Sequence, residues 1–208
     1  MIDLRLGDCL VEMKKIPDKS VDLVITSPPY NVGITYASHD DNQSWGDYEK
    51  WMINILKESY RVIRDGGRLC WNIPSFSSRQ NLYGVFSRLL NDVGFKQYAE
   101  IIWDKKQISS RTAWGSFQSA SQPNILPSHE YILVFYKISK NHGKGKNDVT
   151  KENFIQWTNG MWSFKPQTKS EHPAPYPIEL PLRCMQVFLC KRNHLRPFYG
   201  FRNNWGGV

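Results

Sequence analysis

The sequence predicts an α/β fold, a doubly wound sheet with a mostly parallel core. Three observations predict it: a short β-branched run at Val21–Thr26, helix-period apolar stripes at 48–63 and 82–93, and strand-like runs alternating with them. The 208 residues are 40% hydrophobic, which suits a single domain over 1–208 with a sizeable core.

Val21–Thr26 (VDLVIT) reads as a buried parallel strand, stopped by Ser27-Pro28-Pro29-Tyr30, because two prolines remove the N–H groups that pairing needs. From Tyr48 to Ile63 apolar residues at 48, 51, 52, 55, 56, 60 and 63 form one helical face. Asp65-Gly66-Gly67 turns the chain into a strand, Arg68–Ile73, closed by Pro74-Ser75. Leu82, Val85, Phe86, Leu89, Leu90 and Val93 mark a second helix with Gly94 as its C-terminal cap. Tyr98–Trp103 and Tyr131–Tyr136 read as two more strands; no helix separates them, so an antiparallel edge is expected.

Two segments fall outside this rhythm. The span 105–128 is a polar loop carrying Arg111, Trp114, Phe117 and Gln118. The span 137–170 is Asn- and Lys-rich, with Lys144, Lys146, Trp157, Trp162 and Phe164. Long loops in compact domains usually carry function. Basic and aromatic side chains together suit a polyanion with stacked bases, and Arg111, Trp114, Lys144 and Lys146 are the candidate contacts.

Charge agrees: 27 Lys and Arg against 19 Asp and Glu give +8. Cys9, Cys70, Cys184 and Cys190 are scattered and the five histidines dispersed, so neither a disulfide framework nor a metal site is expected. No run of about 18 apolar residues appears, and the N-terminus MIDLRLGDCL does not read as a signal peptide, so a cytoplasmic protein without a membrane span is expected.

The most informative string is Ser27-Pro28-Pro29-Tyr30 directly after a buried strand, since ligands of open α/β sheets bind beyond the strands' carboxyl ends. Alone it is equally an ordinary proline turn. Its context distinguishes it. LGDC at 6–9, PDKSVDLVITSPPYNVG at 17–33, DGGRLCWNIP at 65–74, NILPSHEYILVFY at 124–136 and HPAPYPIELPLRCMQVF at 172–188 occur in that order. In these stretches the chain resembles the β-class DNA amino-methyltransferases, whose catalytic motif precedes their cofactor motif.

The resemblance implies a Rossmann-like methyltransferase fold with circularly permuted motif order, incomplete at the C-terminus. It implies S-adenosylmethionine as cofactor and double-stranded DNA as substrate, and leaves open a homodimer and a cognate restriction endonuclease as partners. Ser27, Pro28, Pro29 and Tyr30 would be the catalytic motif. Asp8 and Cys9 would lie near the cofactor's adenine, with Ser27 also at the cofactor. The stretch 172–188, including Pro173, would wall the pocket, its helix starting near Pro177. Serine at the first motif position usually accompanies transfer to N4 of cytosine, so cytosine is favoured over N6 of adenine.

The residues themselves suit that chemistry. An exocyclic amino nitrogen is a weak nucleophile because its lone pair is delocalised into the ring. The Ser27 hydroxyl and Pro28 carbonyl can accept its two N–H groups and aim the lone pair, while Tyr30 stacks on the extruded base. Plainer roles are expected nearby: Asp22 shapes the turn before the strand, Trp71 is core, and His129 and Glu130 satisfy backbone or solvent at a strand start. Asn72 is a candidate to reach the site from its strand end.

The family pattern then calls for a strand and a glycine-rich turn of the type D-P-F-x-G-S-G-T-T. This chain has LCKRNHLRPFYGFRNNWGGV instead. Phe198 and Gly200 fall on motif positions, but Arg202 stands where the second glycine belongs. The tail from Lys191 back-translates so that a frame shifted by one base reads K-E-T-I-L-D-P-F and F-M-G-S-G-T-T-G. A frameshift near 188–190 is therefore expected, 189–208 is an aberrant tail, and cofactor binding by this chain should be weak. Three readings remain: a DNA amino-methyltransferase, a DNA-binding remnant without transfer, and transfer to RNA or protein, whose relatives usually show Asn at the first motif position.

Overall fold

The computed structural model describes residues 3–36, 40–74, 80–106, 116–123, 125, 127–143, 149–167, 175, 177–188 and the backbone of 194–195. In chain order the elements are α1 (Cys9–Met13), β1 (Val21–Thr26), α2 (Trp45–Val62), β2 (Ile63–Ile73), α3 (Leu82–Val93), β3 (Lys96–Asp104), β4 (His129–Tyr136), α4 (Lys151–Trp157), β5 (Met161–Ser163), α5 (Glu179–Phe188) and β6 (His194–Leu195).

The strands form one sheet in the order β5-β3-β4-β2-β1-β6. β1 runs parallel to β2 and β6, and β5 parallel to β3, whereas β4 is antiparallel to both its neighbours. One reversed strand in an otherwise parallel sheet fits the expected architecture with one correction. The antiparallel pair is not an edge: β4 lies between β2 and β3, and β5 continues the sheet beyond β3.

Alternation along the strands explains the two-sided cover. Val24, Leu69, Trp71, Ile73, Leu133 and Phe135 pack with α2 and α3, while Leu23, Ile25, Cys70, Ile132 and Val134 pack with Trp103, Trp162 and α5. All six residues of β1 are buried. Such burial stabilises by roughly 1.5–3 kcal/mol for each large apolar side chain.

The helix signals were local. Ser44 caps α2 by accepting from Asp47 N, and Gly94, at φ 109°, ends α3. Strand β2 begins five residues before the expected start, at Ile63, and absorbs the Asp65-Gly66-Gly67 turn as an irregularity in its pairing with β1. A Cβ on Gly66, at φ 79°, would collide with the Asn141 carbonyl oxygen, so only glycine fits.

The described part of 137–170 is not all loop, for it contains α4 and β5. Three of its aromatic residues pack inward: Trp157 and Trp162 are buried and Phe164 stacks on Trp103 at 5.2 Å, with Arg183 lying over Trp157, Trp162 and Phe164, whereas Phe154 on α4 is exposed. Trp157, Trp162 and Phe164 are therefore not the base-stacking surface their interleaving with lysines suggested. Asp22 likewise sits inside β1, not at a turn before it, where its carboxylate pairs with Arg64 at 2.5 Å. Among the described residues no helix is long and apolar enough to cross a membrane.

Candidate active site

β1 ends at Thr26, and Ser27–Tyr30 leave the sheet at the carboxyl ends of β1 and β2. This corner is held from outside. The Tyr48 hydroxyl of α2 donates to the Pro29 carbonyl at 2.5 Å. Asn31, in the left-handed region at φ 55°, exchanges two hydrogen bonds with the Gln43 backbone, at 2.9 and 2.8 Å. The buried Asp41 carboxylate accepts the N–H groups of Asn31, Val32 and Ile34 at 2.8, 3.1 and 3.0 Å. Carboxylate-to-amide bonds of this kind fix a loop that has no regular structure of its own.

Inside the corner, Tyr30 turns its hydroxyl into a polar cluster. The Tyr30 hydroxyl lies 2.6 Å from Ser27 Oγ and 3.4 Å from Glu130 Oε2. Asn72 Nδ2 donates to Glu130 Oε2 at 2.6 Å and to the Tyr30 hydroxyl at 3.2 Å, and Lys105 pairs with the other Glu130 oxygen. Burial first, and then the Glu130 charge, push the Tyr30 phenol well above its ordinary value, so it is a hydroxyl throughout the physiological range.

Register explains the convergence. Ser27 continues the parity of Leu23 and Ile25, Asn72 that of Cys70, and Glu130 that of Ile132 and Val134, all on the face that packs α5. In the ladder Asn72 faces Ile132, which sets Glu130 two positions beyond it on the neighbouring strand.

Two acceptors at this end have no hydrogen-bond partner among the described residues although they are buried: Thr26 Oγ1 and Asn72 Oδ1. An enclosed unpaired acceptor costs about 1–3 kcal/mol. The Pro28 carbonyl also receives no hydrogen bond from the described residues, unlike that of Pro29.

Asp8 caps α1, its Oδ1 accepting from Leu10 N at 2.8 Å and Val11 N at 3.2 Å. Cys9 packs against the same core cluster as Tyr30; burial and then the Asp8 charge raise its thiol to about 11. His129 stays outside the polar cluster, with its ring edge-on to Tyr131. Trp71 is fully buried against Phe86. Pro173, Phe198, Gly200, Arg111, Trp114, Lys144 and Lys146 lie outside the described residues.

Sequence reasoning therefore missed Glu130, Lys105, Asp41 and Tyr48. Glu130 is 8% exposed and serves neither backbone nor solvent, which corrects the plainer role expected of it. Its parity with Ile132 and Val134 was the signal available.

The family described as DNA methylase matches residues 21–195. The Type II methyltransferase M.MjaVI of Methanocaldococcus jannaschii is 46% identical over 160 residues, spanning 75% of this chain and 82% of that protein. M.HpaI, a Type II methyltransferase of Haemophilus parainfluenzae, is 30% identical over 141 residues, covering 67% of this chain and 40% of that protein. Among solved structures, the DNA modification methylase TTHA0409 of Thermus thermophilus aligns with a TM-score of 0.69 at 24% identity, over 92% of this chain and 77% of that one. The cytosine-N4-specific PvuII DNA methyltransferase aligns at 0.65 and 15%, over 92% and 72%. At these identities both are likenesses of fold.

Proposed function

The chain belongs to the DNA methylase family, and from that premise we propose that its Ser27–Tyr30 corner transfers a methyl group from S-adenosylmethionine to N4 of cytosine in double-stranded DNA. One observation carries the proposal: a rigid corner at a strand's carboxyl end offers the Ser27 hydroxyl and a Pro28 carbonyl that no described residue takes. Two acceptors are what an amino group's two N–H bonds require.

Held by both, the nitrogen is drawn from planar toward tetrahedral and its lone pair gains nucleophilic character. Positioning does the remaining work, because Asp41, Asn31 and Tyr48 fix the corner before substrate arrives. The Tyr30 ring supports the flipped base, which must leave the duplex to reach the corner. The bound cofactor supplies an electrophilic methyl on a sulfonium. The described residues fit that group only in part: Asp8 keeps Oδ2 free of hydrogen bonds from the described residues, and Asp8 and Cys9 would hold it. Pro173, Phe198 and Gly200 complete the proposed cofactor set.

Cytosine is favoured by serine at the first motif position, Ser27. The net charge of +8 suits DNA, with Arg111, Trp114, Lys144 and Lys146 as proposed contacts. A single catalytic domain over 1–208, with DNA-reading segments at 105–128 and 137–170, completes the reading. The Type II relatives support a restriction–modification setting, with a cognate endonuclease as the proposed partner.

A second reading, DNA binding without transfer, is favoured by Arg202 at a position where the motif wants glycine. Tritium transfer from labelled S-adenosylmethionine to DNA separates the two. The first reading predicts label in DNA that Ser27→Ala abolishes; unlabelled DNA that is nonetheless retained by the protein supports the second.

A further inference from the structure

We propose that Glu130 is a positioning residue that, acting through Tyr30, turns the Ser27 hydroxyl into an acceptor for the amino group. The inference rests on the reading above and adds to it a direction for each hydrogen bond.

A carboxylate has no proton to give. Tyr30 has one, and three acceptors compete for it: Ser27 Oγ at 2.6 Å, and Glu130 Oε2 and the Asn72 backbone carbonyl at 3.4 Å each, of which the carboxylate outcompetes the neutral carbonyl at equal distance because a charged acceptor makes the stronger bond. Donation to Ser27 would leave the tyrosine lone pairs facing an anion inside a buried corner. Donation to Glu130 instead presents those lone pairs to Ser27 Oγ at 2.6 Å and to Asn72 Nδ2 at 3.2 Å, both of which can donate. The single Ser27 proton is then spent on Tyr30, and both serine lone pairs are left for substrate. Glu130 thus sets the polarity of the chain that runs from substrate N–H through Ser27 and Tyr30 to the carboxylate.

Glu130 fixes Asn72 in the same way. A flipped amide would set its oxygen against the carboxylate at 2.6 Å, so Nδ2 faces Glu130 and Oδ1 remains an untaken acceptor. Lys105, from the segment after β3, supplies the countercharge. The 3.4 Å from the Tyr30 hydroxyl to Glu130 is long, but such contacts shorten when substrate closes a site.

The test uses the full chain labelled with 13C at the tyrosine ζ carbon, the Tyr30 signal being identified by its loss in Tyr30→Phe. Ser27, Asn72, Glu130 and Tyr36 are the groups facing that phenol. In Glu130→Gln the Tyr30 titration moves to lower pH, and in Lys105→Met, which leaves the carboxylate without its countercharge, it moves to higher pH. Whichever variant keeps the native circular dichroism carries the test; an unmoved Tyr30 titration in such a variant overturns the proposal.

In a chain competent for transfer, Glu130→Gln lowers kcat about tenfold or more with KM for DNA unchanged, Tyr30→Phe matches it, and the double variant loses no further factor. Additive losses would show Glu130 acting apart from Tyr30 and overturn the relay. Failure of transfer in every chain counts against the function proposed above, and the titration still decides the role of Glu130.

Discussion

Tyr48, on the buried face of α2, donates its phenolic proton to the Pro29 carbonyl across 2.5 Å and so ties the helix to the corner. A phenylalanine there would keep the packing against Trp45 and Phe86 but strand a carbonyl inside the protein. Tyr48→Phe should cost about 1–3 kcal/mol in urea unfolding. An unchanged unfolding midpoint would show that the tie contributes nothing.

Asp41 gathers three backbone N–H groups behind the corner, and an amide can accept at only one of its two atoms. Asp41→Asn should destabilise by about 1.5–3 kcal/mol, the range for hydrogen bonds to a charged group. Because the loop follows Tyr30, the same variant should lower kcat more than it raises KM. Wild-type kinetics in a correctly folded Asp41→Asn would detach the loop from the site.

The Cys9 thiol stands at about 11 because it is buried and beside Asp8. Its raised value means that the folded state holds the proton more tightly than the unfolded chain, so its contribution to stability is present below about 9 and is lost as pH rises toward about 11. Alkylation of Cys9 by iodoacetamide should therefore inflect near 11, and Asp8→Asn should move the inflection down. An inflection near the ordinary thiol value of 9.0 would contradict the burial argument.

The tail tests the reading of the gene. Replacing residues from Lys191 with K-E-T-I-L-D-P-F-M-G-S-G-T-T-G supplies the glycine-rich turn that lets backbone approach the cofactor. Isothermal titration calorimetry should show S-adenosylmethionine binding at least about tenfold tighter, a gain of about 1.4 kcal/mol. Equal affinities would remove the frameshift argument.

Much of the frame was legible because local signals were strong. The stripe from Tyr48 to Ile63 and the cap at Gly94 located α2 and α3, and the prolines at 28 and 29 placed the end of β1. What was not legible depended on long-range pairing. Nothing local says that β4 inserts between β2 and β3, and that insertion is what brings Glu130 to Asn72 and Tyr30. Trp157 and Trp162 misled for a related reason: Trp162 pairs with Trp103 of β3 and both tryptophans lie under Arg183 of α5, partners too distant in sequence to be seen from the segment itself. Asp41 was hidden because a carboxylate that caps backbone amides in a loop leaves no periodic trace.

The central claim, that the Ser27–Tyr30 corner methylates cytosine at N4, is tested most directly by nucleoside analysis of DNA after incubation with methyl-tritiated S-adenosylmethionine. The chain with the replaced tail and its Ser27→Ala counterpart should be compared side by side. The account predicts label in N4-methylcytosine and its loss in Ser27→Ala; label in N6-methyladenine, or equal label in both proteins, would contradict it.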